Sequence, residues 1–176
     1  SSGFRQLIDP RSDFIKGSVL DKEKLVGSLA GVNVVIHMAA LIVVPESVEK
    51  PDLYWHNNVE GTKQLLEAMG EAAVEKIIFS SSATVYGNPD KLPLTENSSL
   101  KTPSSPYGQT KLEMEKLIES EHSKGWLNAV ILRYFNPYGP NELHTPETHA
   151  IPNFIKAAIS KEPISLYWKG EQVRDF

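Results

Sequence analysis

The chain has 176 residues, a net charge of −4 at neutral pH, no cysteine and 40% hydrophobic residues. This length is sufficient for one domain with a buried core. The acidic balance argues against nucleic-acid binding, and no apolar run approaches the roughly 18–20 residues that span a membrane. The absence of cysteine excludes disulfides and thiolate metal sites, and the first residues, SSGFRQLIDPRSD, do not have the pattern of a signal peptide. We therefore expect a soluble, cytoplasmic protein that binds neither nucleic acid nor membrane.

Apolar runs of strand length alternate with helical patterns along the chain. Strands are indicated by β-branched and apolar runs, and helices by apolar residues that recur every three or four positions. The predicted strands are 32–40, 76–82, 128–135 and a short 164–168, and the predicted helices are 53–70, 107–122 and 151–161. This alternation predicts an α/β fold with a mostly parallel sheet flanked by helices.

Three of the predicted strands end in groups of small, polar or aromatic residues. These groups are Ala39-Ala40, Ser80–Ser82 and Tyr134-Phe135-Asn136. Since ligands of open α/β sheets bind outside the carboxyl ends of the strands, all three groups are expected to line one binding crevice.

In SPYGQTK, residues 105–111, Tyr107 lies four positions before Lys111. Positions i and i+4 of a helix share one face, so the ammonium group is expected beside the phenol. A neighbouring positive charge lowers the pKa of a tyrosine and makes it a candidate general base. Ser82 is a candidate to hold the same substrate oxygen. The alternative is that Ser80–Ser82 only satisfy backbone groups at a strand end.

The remaining polar residues are assigned to structural roles. The histidines show no metal-ligand spacing, so no metal site is predicted. The carboxylates of the 107–122 helix are expected to form a solvated surface: Glu113, Glu115, Glu119 and Glu121.

Several motifs follow one another in a fixed order: VIHMAAL (35–41), NNVEGT (57–62), SSSATVYG (80–87), SPYGQTK (105–111), LRYFNPYGP (132–140) and VRDF (173–176). They resemble the extended short-chain dehydrogenase/reductase family, in particular its NAD-dependent nucleotide-sugar epimerases and dehydratases, and most of all the UDP-glucose 4-epimerases. The resemblance implies a Rossmann-type sheet, NAD as cofactor, a nucleotide-sugar substrate, and a homodimer formed through the 53–70 and 107–122 helices. It also implies epimerisation at C4 of a UDP-glucose/UDP-galactose type substrate through a 4-keto intermediate.

The resemblance assigns roles to individual positions. Tyr107 matches the catalytic base, Lys111 the residue that lowers its pKa and contacts the nicotinamide ribose, and Ser82 the hydroxyl that holds the sugar. The positions that match cofactor-binding residues are Ser18, Val19, Met38, Ala39, Ala40, Asn57, Ser80, Tyr107, Lys111 and Tyr134. The positions that match substrate-binding residues are Ser82, Asn136 and Arg174. The guanidinium of Arg174 would suit the paired oxygens of the diphosphate.

The chain departs from the family pattern at Ser18, where an acidic residue is usual, at Ile42, where a lysine is frequent, and at His149, where an asparagine is frequent. It also contains no G-x-x-G-x-x-G loop to present backbone N–H groups to a pyrophosphate. We therefore interpret the sequence as a family member truncated at both ends. Residues 1–140 are interpreted as a partial NAD-binding domain and residues 141–176 as the beginning of the substrate-binding region.

Three alternatives to an epimerase stay open. A nucleotide-sugar 4,6-dehydratase needs an acid and a base directly after the catalytic hydroxyl residue, and Ala83-Thr84 stand there instead. That substitution disfavours elimination. A C4 reductase or a decarboxylating relative is less well excluded. The third alternative is a non-catalytic fragment, because NAD affinity should fall without the glycine-rich loop.

Overall fold

The computed structural model describes residues 4–142, 149–171 and 173. Within them the strands are β1 (Val35–His37), β2 (Lys76–Ser82) and β3 (Asn128–Tyr134). The α-helices are α1 (Lys22–Ser28), α2 (Val44–Glu49), α3 (Pro51–Tyr54), α4 (Gly61–Glu71), α5 (Pro106–Ser123) and α6 (Ala150–Ser160). A π-helical segment, Trp55–Glu60, joins α3 to α4, and short 3-10 turns form at Arg5–Leu7, Ala83–Tyr86 and Tyr167–Gly170.

The three strands form one parallel sheet in the order β1-β2-β3. Helices α2 to α4 connect β1 to β2, and α5 connects β2 to β3, as parallel pairing requires. The carboxyl ends of the strands therefore lie at one edge, with Ser82 in register with Tyr134. The predicted α/β fold with a parallel sheet flanked by helices is confirmed.

Helices cover one face of this sheet and build the core against it. Alternation along a strand sends successive side chains to opposite faces. On the covered face, Ile77 and Phe79 pack into a cluster with residues of α4 and α5, such as Met69 and Met114. On the opposite face, Ile36 is 65% exposed and Val130 is 53% exposed.

Helix α5 positions the Tyr-Lys pair and agrees closely with the predicted 107–122 helix. Ser105 caps it by accepting a hydrogen bond from the backbone N–H of Gly108 at 3.1 Å, and Pro106 occupies the first turn. A Cβ on Gly108 would lie only 2.7 Å from the Cβ of Pro103. The loop before α5 therefore packs tightly on its first turn, where Tyr107 lies.

Two predicted elements are shorter or divided in the structure. The strand predicted at 32–40 is limited to β1. Beyond it, the backbone of Leu41 pairs with the side-chain amide of Asn58, at 2.8 and 3.0 Å. The helix predicted at 53–70 consists of α3, the π-helical segment and α4. Asn58 lies in the π-helical segment and is fully buried. Asn58 thus connects the π-helical segment to the chain beyond β1.

The prediction of a strand at 164–168 is wrong. Residues 164–166 have no strand pairing, and Tyr167–Gly170 form a 3-10 turn. An apolar run of strand length becomes a strand only where a neighbouring strand accepts its backbone hydrogen bonds. Among the described residues, the sheet contains β1, β2 and β3, and none of these strands pairs with residues 164–166. The other predicted strands, 76–82 and 128–135, correspond to β2 and β3.

Helices α1 and α2 were not predicted. Helix α1 begins at a cap that the sequence DKEK does contain, since Asp21 accepts from the N–H of Lys24 at 3.1 Å. Helix α2 has six residues and begins with a proline in its first turn. Both are too short for an apolar periodicity to be visible in the sequence.

The chain divides into two compact units. One is Ile15–Tyr134 and contains the sheet, and the other comprises Ser1–Phe14 with Phe135–Phe176 and contains α6. The assignment of residues 1–140 to cofactor binding and 141–176 to substrate binding stays a prediction. Among the described helices, none combines the length and the apolar character that crossing a bilayer requires.

Candidate functional site

Tyr107 and Ser82 meet where β2 ends and α5 begins. The Ser82 hydroxyl lies close enough to the Tyr107 phenol to lower the pKa of that phenol. Ser82 also accepts from the N–H of Thr84 at 3.3 Å and from its hydroxyl at 3.0 Å. The backbone N–H of Tyr107 donates to the hydroxyl of Ser47, which is fully buried, at 3.1 Å. The predicted Ser-Tyr pair is therefore brought together, with both partners anchored by neighbouring segments.

Lys111 lies one turn further along α5 and is 3% exposed. Its ammonium group donates to the carbonyl oxygen of Ser80 at 2.7 Å and lies 6.0 Å from the ring centroid of Tyr107. Burial lowers the pKa of Lys111 to about 8, against the opposing effect of the Glu115 carboxylate. The structure therefore places all three predicted catalytic residues at one edge of the sheet.

The lowering of the Tyr107 pKa by Lys111 stays a prediction. Burial raises the pKa of Tyr107, and the nearby Ser82 hydroxyl opposes this effect. The ammonium of Lys111 is bound to the Ser80 carbonyl rather than to the phenol oxygen. The helical spacing placed the two residues on one face but did not reveal that the strand end competes for the amine.

The chain after β1 supplies the other predicted cofactor neighbours. Met38 and Ala39 are exposed and Ala40 is half-buried, directly beyond the carboxyl end of β1. Asn57 donates through its amide to the side-chain oxygen of Asn58 at 3.0 Å. The residues thus line the edge where Ser80–Ser82 end.

Asn58 is a residue that the sequence analysis missed. Besides holding Leu41, its amide donates to the hydroxyl of Thr110 at 3.1 Å, and Thr110 donates to the carbonyl of Tyr107 at 2.7 Å. It therefore connects the loop after β1 to the first turn of α5. Its position beside Asn57 in the NNVEGT motif was the only available signal.

Ser18 and Val19 have structural contacts in the protein. The hydroxyl of Ser18 accepts from the N–H of Leu20 at 3.2 Å and closes a turn. Val19 packs on Gly61, where a Cβ would lie 2.7 Å from the Cγ2 atom of Val19. Their roles in cofactor binding stay predictions.

Tyr134 ends β3 beside Ser82 and is 40% exposed. Asn136 belongs to the second unit and is half-buried. Arg174 lies outside the described residues. In the same second unit, His149 precedes α6 and pairs with the Glu142 carboxylate. The predicted substrate contacts of Asn136 and Arg174 therefore stay predictions.

A buried ion pair lies behind the candidate site on the covered face of the sheet. Glu115 is 1% exposed and accepts from the Nε and a terminal nitrogen of Arg133 at 3.1 and 2.8 Å. It also accepts a hydrogen bond from Ser81. The expectation that Glu115 belongs to a solvated surface is wrong. The overlooked signal was Arg133, a charged residue within a β-strand pattern.

Arg133 extends this network to a fourth residue. Its guanidinium donates to the hydroxyl of Tyr86 at 3.1 Å and lies 5.0 Å from the centroid of that ring. Hydrogen bonding to Glu115 raises the pKa of Arg133, so the guanidinium is charged at any physiological pH. A permanently charged guanidinium thus faces the Glu115 carboxyl group on the covered face of the sheet.

His37 ends β1 inside the core. Its Nε2 atom lies 2.9 Å from the hydroxyl of Thr62, and the ring is 3% exposed. Burial lowers the pKa of His37 to about 4, and the positive charge of Lys111 acts in the same direction. His37 is therefore neutral at physiological pH and is a structural residue.

The side chains at this edge fit one end of a nicotinamide nucleotide. Lys111 has three N–H donors, and its hydrogen bond within the described residues uses one of them, to the Ser80 carbonyl. The others are suited to hydroxyl acceptors such as those of a ribose. Ala39 and Ala40 have small side chains, so a planar ring meets little steric obstruction. The fit covers the nicotinamide side, since the sequence contains no glycine-rich pyrophosphate loop.

Comparison with known proteins places this site in a family context. A sequence model described as the NAD dependent epimerase/dehydratase family matches residues 1–176. A UDP-glucose 4-epimerase from Lactobacillus helveticus is 43% identical over 167 residues, which cover 90% of this chain and 50% of that protein. The chain spans about half the length of the curated relatives that it matches.

Solved structures agree with this result. A UDP-glucose 4-epimerase from Thermotoga maritima, crystallised with UDP-glucose, matches with a TM-score of 0.93 and 32% identity over 99% of this chain and 58% of that one. A dTDP-glucose 4,6-dehydratase from Streptomyces venezuelae, crystallised with NAD, matches with a TM-score of 0.83 and 32% identity over 94% of this chain and 50% of that one. The fold is therefore shared by epimerases and dehydratases.

Proposed function

The chain belongs to the NAD dependent epimerase/dehydratase family, and from this premise we propose that it forms part of an NAD-dependent nucleotide-sugar 4-epimerase. The proposed substrate is of the UDP-glucose/UDP-galactose type. The observation that carries the proposal is the meeting of Ser82, Tyr107 and Lys111 at the carboxyl edge of the sheet.

The proposed chemistry follows from what each side chain can do at that edge. Tyr107 accepts the proton of the sugar 4-hydroxyl as the 4-keto intermediate forms, and returns it when the opposite epimer is produced. Ser82 holds the same oxygen and favours the ionised form of Tyr107 through its nearby hydroxyl group. Lys111 keeps positive charge on the Tyr107 face of α5 and has N–H donors available for ribose hydroxyls. NAD, when bound, supplies the acceptor and the donor of the C4 hydride.

The residues Ala83 and Thr84 favour epimerisation over dehydration. Loss of water from a 4-keto sugar needs an additional acid and an additional base near the hydroxyl residue. Ala83 can serve as neither, and the hydroxyl of Thr84 is bound to Ser82 at 3.0 Å. A 4,6-dehydratase is therefore the second candidate, supported by the structural match to that class of enzyme. A C4 reductase and a non-catalytic chain without the pyrophosphate loop are the remaining alternatives, and homodimer formation stays a prediction.

The experiment is a product analysis. The protein is incubated with UDP-galactose and NAD, and the sugar nucleotides are separated and identified by NMR and mass spectrometry. Formation of UDP-glucose with unchanged mass supports the epimerase. A product lighter by one water, with a 4-keto-6-deoxy sugar, would replace it with a dehydratase. No conversion, together with no NAD retained by the protein, would favour the non-catalytic alternative.

A further inference from the structure

Three consecutive residues at the end of β2 each approach one face of α5. Ser80 accepts from Lys111 through its carbonyl oxygen, Ser81 donates to Glu115, and Ser82 lies beside the Tyr107 phenol. The α5 partners are four residues apart, so they occupy successive turns on one side of the helix. Ser81 lies between Ser80 and Ser82 on β2, and its partner Glu115 lies one turn beyond Lys111 on α5.

Glu115 is held in place from both sides of its carboxylate. Arg133 and Ser81 are register partners on β3 and β2, and both reach the same carboxylate. The second oxygen of Glu115 accepts from Arg133 at 2.8 Å, which makes the contact bidentate. A buried, bidentate ion pair has far less rotational freedom than a single hydrogen bond. The carboxylate is therefore a rigid anchor for the strand end.

The network continues away from the site and ties in a further segment. Tyr86, which accepts from Arg133, donates to the backbone carbonyl of Thr95 at 3.2 Å. Tyr86 ends the 3-10 turn that begins directly after Ser82. The position of Ser82 is thus determined on one side by Ser81 and on the other by the turn that Arg133 holds.

We propose that Glu115 is a positioning residue that, through Ser81 and Arg133, fixes the Ser80–Ser82 strand end against the Tyr107–Lys111 face of α5. This inference rests on the proposed function for its consequences in catalysis, because Ser82 and Tyr107 must face one substrate oxygen. Glu115 is distinct from the groups assigned to proton transfer, since its carboxylate oxygens are occupied by Ser81 and Arg133.

Two variants test the inference. Glu115→Gln removes the charge of the anchor, and Ser81→Ala removes only the hydroxyl that links the anchor to the strand end. Ser81→Ala leaves the Glu115–Arg133 pair intact, so it remains informative if the first variant fails to fold. Glu113→Gln is the matched control, because Glu113 lies on the same helix and pairs with Lys116 on the surface.

The first readout is independent of catalysis. The Tyr107 ring and the Lys111 side chain are followed by carbon NMR during a pH titration of the protein. We expect both variants to change the Tyr107 and Lys111 resonances, and Glu115→Gln to lower the apparent pKa of Lys111. Glu113→Gln should leave both resonances unchanged. Wild-type spectra in Ser81→Ala would overturn the inference.

The second readout separates positioning from stability and from the proposed function. We expect Ser81→Ala and Glu115→Gln to lower kcat by between about 10-fold and about 100-fold, with a smaller change in KM, as for misplaced reacting groups. Rates within about twofold of wild type in both variants, measured where they are folded, would overturn the inference. Tyr107→Phe is run in parallel: if it keeps full turnover, the proposed function fails, and the NMR result alone decides the role of Glu115.

Discussion

The two faces of the sheet differ in what surrounds them and in what they carry. On the covered face, α4 and α5 bury Phe79 completely and enclose the pair between Glu115 and Arg133. On the opposite face, Ile36 and Val130 are more than half exposed. The residues that stabilise the fold are therefore concentrated on one side of a three-stranded sheet.

The difference shows how the site is built. Tyr107 and Lys111, which are proposed for chemistry, lie on α5 at the covered face, and Ser82 approaches Tyr107 from the end of β2. Along β2, Ser81 is buried between two half-buried neighbours, and its hydroxyl donates to Glu115 on the same helix. Precision at the site thus depends on how α5 packs against the end of β2.

The largest expected effect tests the packing side of this comparison. Phe79→Ala should lower the free energy of unfolding by about 3–5 kcal/mol, because it leaves a cavity in the core. Val130→Ala, on the exposed face of β3, should change it by about 0.5 kcal/mol or less. Chemical denaturation of both variants measures the difference. Similar losses in the two variants would mean that the exposed face is also packed in solution.

A smaller effect concerns His37 at the end of the covered face of β1. Its pKa is lowered from 6.5 to about 4 in the folded protein, so folding favours the neutral ring. This contribution of His37 to the free energy of unfolding is fully present above pH 6.5 and is lost as the pH falls through about 4. Since a pKa shift of one unit corresponds to about 1.4 kcal/mol, the stability lost through the protonation of His37 is about 3 kcal/mol.

The measurement is the free energy of unfolding as a function of pH, for wild type and His37→Gln. Carboxylates with lowered pKa values, such as Glu46 and Glu121, also destabilise the protein in acid. The difference between the two curves therefore isolates His37. We expect wild type to lose more stability than the variant between pH 6.5 and pH 4, and parallel curves would contradict the buried, neutral assignment.

Much of the fold could be predicted from the sequence because its signals are local. The apolar run that becomes β2 and the helix that carries Tyr107 and Lys111 are long enough to define their own periodicity. The joint position of Ser82, Tyr107 and Lys111 followed from the rule that parallel strands end at one edge. These residues are close in sequence to strand and helix ends, where topology alone fixes their place.

The remaining features depend on contacts between distant residues. Buried Glu115 is paired with Arg133, eighteen positions away, and the chain beyond β1 is held by the Asn58 amide. The direction of the Tyr107 pKa depends on how deeply the phenol is buried and on the Ser80 carbonyl that binds Lys111. None of these contacts produces a periodic pattern in the sequence. The positions of the residues along the strands and helices could therefore be predicted, but the groups that surround them could not.

The role of Tyr107 is tested by the turnover of UDP-galactose by Tyr107→Phe, with the NAD content of the same preparation measured after denaturation. We expect the phenyl ring to keep the packing of α5 and NAD binding like that of wild type, while epimerisation falls below detection. Near wild-type turnover would contradict the assignment of Tyr107 as the group that exchanges the proton.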